Sequence, residues 1–135
     1  MKIKLDEGAI LPTRAYKDDA GLDLYSPVDM WVYAHSIAII NTGVHVEIPA
    51  GYVGLITSKS GLMKQGITTR GTIDAGYRGS IRAVVYNDGE ASYRVAKGQK
   101  ITQLVILPCL IPEIEVVEEL EDTERGDLGF GSSGQ

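Results

Sequence analysis

Short runs of alternating or β-branched apolar residues, separated by turn residues, constrain the fold of this chain most. Glycine is frequent, with 16 residues in 135, and several glycines lie in the turns between the runs. Alternation over four to eight residues is typical of a half-buried strand, and many closely spaced short strands are typical of sandwiches and barrels. We therefore predict an all-β domain with one helical turn near residues 61–65. The predicted strands are residues 2–5, 22–25, 30–33, 36–40, 44–48, 52–58, 72–74, 80–86, 93–95, 103–108 and 113–118.

The length and the residue counts exclude several classes of protein. A chain of 135 residues is long enough for one domain. One cysteine excludes an intrachain disulfide framework, and one cysteine with two histidines is too few for the usual zinc site. The first residues contain no secretory apolar region, and the longest apolar run is too short to span a bilayer. We expect a cytoplasmic protein without a membrane partner.

Charge is distributed unevenly along the chain. The net charge of −5 argues against a general nucleic-acid binder. Residues 59–100 nevertheless contain eight basic and three acidic side chains, which either are scattered over the surface or face a small polyanion. Residues 113–124 contain seven acidic side chains and no basic one. We interpret this acidic run as a solvated strand edge that leads into a loop.

The last fifteen residues differ in composition from the rest of the chain. Four glycines fall within the last ten positions, which predicts a flexible tail. We accordingly divide the chain into a β domain at residues 1–120 and a tail at residues 121–135. Phe130 is the only phenylalanine and has no local core to receive it. It therefore requires a ligand ring or another subunit as its partner.

The tail also contains a glycine pattern that suits phosphate better than a dinucleotide. Residues 129–134 formally match GxGxxG, but no βαβ unit surrounds them, so the dinucleotide fingerprint is excluded. Glycine-rich backbone with Arg125, Ser132 and Ser133 nearby could still wrap a phosphate with N–H groups.

Three internal segments carry more polar chemistry than a plain strand or turn requires. Asp23 is a carboxylate within an apolar run and must be paired if it faces inward. Residues 58–62 (SKSGL) combine a cation, hydroxyls and a turn, a combination that suits an anion. Residues 71–79 (GTIDAGYRG) place a carboxylate, an aromatic ring and an arginine on a glycine-flanked hairpin. Taken singly, each segment is also explained by ordinary bulged or type II turns.

Taken together and in order, these segments resemble the five motifs of the homotrimeric dUTPases (deoxyuridine 5′-triphosphate nucleotidohydrolases). The resemblance runs from about residue 11 to the C-terminus. It implies a distorted jelly roll assembled as a homotrimer, in which three subunits share each active site and a flexible C-terminal tail closes over the nucleotide. The five matching segments are AGLDLYS at 20–26, SKSGL at 58–62, GTIDAGYRG at 71–79, KGQKITQLVI at 97–106 and RGDLGFGSSG at 125–134.

The resemblance also implies a reaction. dUTP would be hydrolysed to dUMP and pyrophosphate by attack of water at the α-phosphorus, which limits uracil incorporation into DNA and supplies dUMP for dTMP synthesis. Asp74 would be the catalytic base. Mg²⁺ would assist and would be held mainly by the substrate phosphates, with Asp23 holding one of its waters. The implied partners are dUTP and further copies of the chain, without direct nucleic-acid binding.

The resemblance finally implies the substrate contacts. Tyr77 would stack under the deoxyribose and exclude a 2′-hydroxyl, Phe130 would close over the uracil, and the backbone of residues 67–82 would bind the base. The implied substrate-binding residues are Lys59, Ser60, Gly61, Thr68, Gly71, Thr72, Ile73, Tyr77, Gln103, Arg125, Phe130, Gly131, Ser132 and Ser133.

Several positions depart from the family pattern. Lys59 stands where arginine is usual, and lysine lacks the bidentate fork of a guanidinium. Thr68 stands where many members have an asparagine that helps to bind uracil. Arg70 replaces a frequent proline and Leu128 a frequent glycine, and Gln99-Lys100 replaces an acidic residue followed by arginine.

Two alternative functions stay open at this point. The first is a dCTP deaminase or a bifunctional relative, which ammonia release from dCTP would distinguish. The second is a nucleotide-gated interaction protein, since some viral members of the family bind regulatory proteins. The acidic run at residues 113–124 is the sequence feature that would invite a basic partner.

Overall fold

The alternating runs form ten strands and one short helix within residues 1–127, the part of the chain that this computed structural model describes. The all-β prediction is therefore confirmed. No helix in this part is both long and apolar enough to cross a membrane. The elements are β1 (Lys2–Leu5), β2 (Leu22–Tyr25), β3 (Met30–Val32), β4 (Ser36–Asn41), β5 (Val44–Glu47), β6 (Tyr52–Thr57), α1 (Ser60–Met63), β7 (Ile67–Ile73), β8 (Arg82–Asn87), β9 (Tyr93–Val95) and β10 (Lys100–Pro108).

Six of the strands form one curled antiparallel sheet in the order β2-β10-β6-β7-β8-β4. Two further antiparallel pairs, β1 with β5 and β3 with β9, complete the described part. The curl arises in β7, which changes partner along its length. Residues 67–69 pair with β8, whereas residues 70–73 pair with β6. One continuous strand therefore joins two layers of the fold.

Alternation divides each strand between a buried face and an outer face. On β5, Val44 and Val46 are buried, whereas His45 and Glu47 point outwards. Burial of each large aliphatic side chain contributes about 1.5–3 kcal/mol to folding. The buried residues form two clusters, one of Leu22, Leu24, Val44, Val46, Ile48, Ile56, Ile81 and Leu104, the other of Val32, Ile40, Leu62, Ile67, Ala83, Val85, Val95 and Ile101.

Two strand predictions differ from the structure. Residues 113–118 form no strand, and Ile114 and Val116 are 94% and 93% exposed. Alternation supplies a strand pattern, but a strand also needs a hydrogen-bonding partner, and none pairs with this segment within residues 1–127. Conversely, β7 begins at Ile67 rather than at residue 72. Its polar centre resembles a loop in sequence, yet β6 and β8 supply partners for its backbone.

Candidate active site

Asp23 lies in the middle of β2, where it is 3% exposed between Leu22 and Leu24. Two lysines bind its carboxylate: Lys59 Nζ donates to Oδ1, and Lys100 Nζ donates to Oδ2 at 2.7 Å. Burial raises the pKa of Asp23, but the hydrogen bonds from Lys100 and Lys59 outweigh it and hold this pKa below its ordinary value. The hydrogen bond between Lys100 and Asp23 also raises the pKa of Lys100. The carboxylate that the sequence required to be paired is thus paired twice.

Gln103 lies next to this ion pair. On β10 it stands opposite Asp23 of β2 and Thr57 of β6, and its Nε2 donates to the Ser58 carbonyl at 3.4 Å. Gly21 leaves room for it, because a Cβ at that position would overlap the Gln103 amide. The first, second and fourth motif segments therefore meet at one end of β2, β6 and β10.

The turn after β6 adds a hydroxyl and exposed backbone to the same place. Lys59 precedes α1, and Ser60 and Gly61 are the first two residues of that helix and are both exposed. Leu62, the next residue, is buried in the second core cluster and fixes the turn against the domain. The two lysines and Asp23 together carry a net charge of +1, which favours an anion.

The third motif segment builds a separate pocket of about 220 Å³ at the loop between β7 and β8. Tyr77 N–H donates to the Asp74 carbonyl at 3.0 Å and closes a turn, and the Tyr77 hydroxyl donates to the Ser80 carbonyl at 3.1 Å. Asp74 is exposed, so its carboxylate can contact water. The pocket is lined by Thr72, Ile73, Asp74, Tyr77 and Arg82.

The pocket exists because β7 and β8 separate. Their pairing ends at Thr69 and Val85, and β7 continues with β6 as its partner. In an antiparallel strand, successive residues direct their N–H and C=O groups to opposite sides. Half of the backbone groups of residues 70–73 therefore point away from β6, towards the opening beside β8.

The turn between β4 and β5 holds the pocket loop in place. Ser80 Oγ donates to Asn41 Oδ1, and the buried Thr42 Oγ1 donates to the Ile81 carbonyl at 2.8 Å. Within the loop, the Arg78 guanidinium donates to the Ala75 carbonyl at 2.6 Å and to the Tyr77 carbonyl at 2.9 Å. The loop that carries Asp74 and Tyr77 is thus fixed by hydrogen bonds at its far end.

The two groups of candidate residues lie beyond opposite ends of the β6–β7 ladder. Thr57 pairs with Arg70 at one end, and Gly54 pairs with Ile73 at the other. Three residue steps, or about 10 Å of strand, separate these pairs. Lys59 comes two residues after Thr57, beyond the first end, and Asp74 comes directly after Ile73, beyond the second end. One chain therefore does not bring Lys59 and Gln103 next to Asp74.

Other predicted residues lie elsewhere or outside the described part. Thr68 pairs with Tyr86 at the closed end of the β7–β8 opening and is not among the residues that line the pocket. Gly71 is on the β6-paired part of β7. Arg125 is described and exposed. The predictions for Phe130, Gly131, Ser132 and Ser133, and the departure at Leu128, fall outside residues 1–127.

Two residues of the site were missed as site residues by sequence reasoning. Arg82 lines the Asp74 pocket, and its only signal was its place in the basic stretch at residues 59–100. Lys100 was noted only as a departure from a family motif, yet it binds Asp23. A β-bulge between Lys100 and Thr102 shifts the β10–β2 register there, and no sequence pattern indicated that bulge.

Comparisons with known proteins agree with these observations. A family model described as dUTPase matches residues 7–134. The deoxyuridine 5′-triphosphate nucleotidohydrolase of Clostridium tetani is 45% identical to this chain over an alignment of 140 positions. The alignment covers 100% of this chain and 97% of the relative.

Solved structures give the same result for the fold. The dUTPase of Staphylococcus bacteriophage 80alpha with dUPNHPP is similar with a TM-score of 0.92 at 38% identity, covering 99% of this chain and 98% of that chain. A dUTPase variant from phage phi11 of S. aureus, described with a structural Mg(II) ion, is similar with a TM-score of 0.82 at 33% identity, covering 90% and 98%. The predicted jelly roll is thereby confirmed.

Proposed function

The chain belongs to the dUTPase family, and on that premise we propose that it hydrolyses dUTP to dUMP and pyrophosphate with Asp74 as the catalytic base. The observation that carries the proposal is the loop on which an exposed carboxylate and the Tyr77 ring line one pocket. A carboxylate beside the α-phosphorus can accept a proton from the attacking water. The leaving group is then pyrophosphate.

The nucleoside would occupy the opening between β7 and β8. Tyr77 would stack against the deoxyribose and leave no space for a 2′-hydroxyl, and the outward backbone groups of residues 70–73 would bind the uracil edge. Gly71, Thr72 and Ile73 belong to this segment. A pocket of fixed backbone polarity discriminates strongly against a base with the wrong hydrogen-bonding pattern. Thr68, at the closed end of the opening, stays a predicted contact.

The triphosphate would be bound by the second group of residues. Lys59 donates one hydrogen to Asp23, and an ammonium has three to donate, so two hydrogens stay available for phosphate oxygens. Ser60, Gly61 and Gln103 would add neutral donors. Arg125, Phe130, Gly131, Ser132 and Ser133 would close the site from the tail, and the division into residues 1–120 and 121–135 is part of this proposal.

We propose that the complete site is shared between subunits of a homotrimer. The support is the arrangement described above, in which Asp74 and the Lys59–Gln103 group lie beyond opposite ends of one ladder. Mixing two impaired variants, one without the proposed base and one with weakened dUTP binding, tests this arrangement. Asp74→Asn and Gln103→Ala subunits, unfolded and refolded together, would regain activity at sites that take each native residue from a different chain. Activity that stays at the sum of the two separate variants would contradict sharing.

Magnesium would reach the site with the substrate. Residues 1–127 contain no group of three His, Cys, Asp or Glu side chains placed to hold a metal, and both Asp23 oxygens accept from lysines. These residues therefore do not fit a protein cage for the ion. Phosphate oxygens and water are ligands that Mg²⁺ prefers. The water-holding role of Asp23 stays a prediction.

Pyrophosphate release tests the function directly. We expect release from dUTP with Mg²⁺ and little from UTP, dTTP or dCTP. The Asp74→Asn variant should lose turnover by about a hundredfold or more, since a positioned base contributes that much, while still binding dUPNHPP. Full turnover in this variant would show that Asp74 is not the base. Ammonia release from dCTP would favour the deaminase alternative.

The remaining predictions concern cell biology. Restriction of uracil in DNA, supply of dUMP for dTMP synthesis and a cytoplasmic location follow from the proposed reaction and stay predictions. A regulatory protein partner also stays a prediction. Pull-down with and without dUPNHPP tests that partner.

A further inference from the structure

His45 contacts hydrogen-bond acceptors with both of its ring nitrogens. Its Nδ1 lies 2.8 Å from the Arg78 carbonyl oxygen, and its Nε2 lies 3.0 Å from Asp6 Oδ1. A carbonyl oxygen and a carboxylate can only accept, so each nitrogen must carry a hydrogen to bond both partners. Both contacts are hydrogen bonds only in the imidazolium form.

The two partners connect distant parts of the chain. Asp6 follows β1, and its own N–H donates to the Gly43 carbonyl at 2.9 Å, which holds it beside the β4–β5 turn. Arg78 directly follows Tyr77 in the pocket loop. His45 on β5 therefore joins the segment after β1 to the residue next to the proposed sugar-stacking ring.

The charged surroundings of His45 favour the same form. The hydrogen bond to the Arg78 carbonyl and then the Asp6 carboxylate raise the pKa of His45 above its ordinary value. Burial opposes them, and so, to a smaller extent, does Lys4, its cross-strand partner on β1. The neighbouring Lys2 and Glu47 pair with each other at 3.2 Å. The Arg78 guanidinium is turned towards the loop carbonyls.

We propose that His45 is a positioning residue for the nucleoside pocket: as an imidazolium it joins Asp6 to the Arg78 carbonyl and so fixes the loop that presents Tyr77. This inference rests on the proposed function. A neutral imidazole has one N–H, so loss of the proton turns one of the two contacts into an opposition of lone pairs. The loop then loses a fixed point beside Tyr77. Substrate binding weakens, whereas Asp74, next to the paired end of β7, keeps its place.

The test compares KM and kcat for dUTP between about pH 6 and about pH 9, the range that includes histidine titration. The variants are His45→Gln, which cannot become charged, and Asp6→Asn, which removes the anion. His35→Gln is the matched control, because within residues 1–127 the charged partner of His35 is Glu90. His35 precedes the Ser36–Asn87 end of the β4–β8 ladder, whereas the loop adjoins the opposite end at Arg82. The substrate's terminal phosphate titrates in the same range, so the ratio of each variant's KM to the wild-type KM is measured at each pH.

At the lowest pH we expect the His45→Gln KM to exceed the wild-type KM by about fivefold, the loss expected for one hydrogen bond. This ratio should fall towards one as the pH rises and wild-type His45 loses its proton. Asp6→Asn should move the rise in KM to lower pH. kcat should change much less than KM, and His35→Gln should follow the wild type throughout.

A merely structural role would lower the melting temperature of His45→Gln and leave its KM ratio independent of pH, and that result would overturn the inference. If His45→Gln did not fold, the comparison is made between the wild type and Asp6→Asn. An identical dependence of KM on pH in these two proteins would also overturn the inference. If the wild-type chain released no pyrophosphate from dUTP, the proposed function would be wrong. In that case the ratio of each variant's Kd to the wild-type Kd for dUPNHPP, measured by calorimetry at each pH, decides the inference. Equal affinities of His45→Gln and the wild type at every pH, or no binding at all, would overturn it.

Discussion

Lys100 Nζ donates a hydrogen bond of 2.7 Å to Oδ2 of Asp23, and this bond joins β10 to the buried centre of β2. Lys59 occupies the other carboxylate oxygen. The Lys59 and Lys100 side chains are 26% and 37% exposed, whereas that of Asp23 is 5% exposed. The buried charge is therefore compensated by two partly exposed cations. This arrangement stabilises the sheet and concentrates positive charge where the phosphates are proposed to bind.

Removal of the Asp23 charge should destabilise the domain. We expect Asp23→Asn to lower the free energy of unfolding by about 2 kcal/mol, since it loses charged hydrogen bonds in a buried position. Asp29→Asn is the matched control, because Asp29 and Arg94 pair at 3.1 Å with both side chains 59% exposed, and such pairs contribute about 0–1 kcal/mol. Urea unfolding of both variants measures the difference. Equal losses would show that burial of Asp23 is unimportant.

The Asp23 contribution should also depend on pH. The lysines hold the pKa of Asp23 below its ordinary value, which is about 3.9. A lowered folded-state pKa gives stability that is complete above the unfolded-state pKa and is lost as the pH falls through the folded-state pKa. The stability difference between the wild type and Asp23→Asn should therefore be constant down to about pH 4 and shrink below it. Urea unfolding at a series of pH values checks this, and a difference that grows in acid would contradict it.

The orientation of Tyr77 depends on a missing side chain at residue 79. A Cβ on Gly79 would overlap the Tyr77 hydroxyl, whereas a Cβ on Gly76 meets nothing within 4 Å. Gly79→Ala should displace the ring, raise KM for dUTP and weaken discrimination against UTP by about tenfold, equivalent to about 1.4 kcal/mol. Gly76→Ala should leave both unchanged. Steady-state kinetics with the two nucleotides measures the effect, and unaltered discrimination in Gly79→Ala would argue against sugar stacking by Tyr77.

Gly21 and Gln103 should behave as one unit. Gly21→Ala pushes the Gln103 amide out of its position, so it should raise KM for dUTP as Gln103→Ala does. Because both changes remove the same contact, the double variant should be no worse than either single variant. Steady-state KM values of the wild type, the two single variants and the double variant form a double-mutant cycle. Additive losses would mean that Gly21 acts through something other than Gln103.

The sequence by itself determined the class of fold and the identity of most candidate residues. Turn residues and alternation predicted nine of the ten strands and only the end of β7, since both signals are local in the chain. The ordered motif segments indicated the family, and the pairing requirement for Asp23 followed from its apolar neighbours. The same local signal misassigned residues 113–118, because alternation does not supply a partner strand.

Only the tertiary structure decided which residues meet. The exchange of partners in β7, the bulge at Lys100 and the two contacts of His45 all depend on which strands lie side by side. Strand order is set by packing of the whole core, so residues far apart in sequence become neighbours without any local mark. For the same reason the separation of Asp74 from Lys59 became visible only once the β6–β7 register was known.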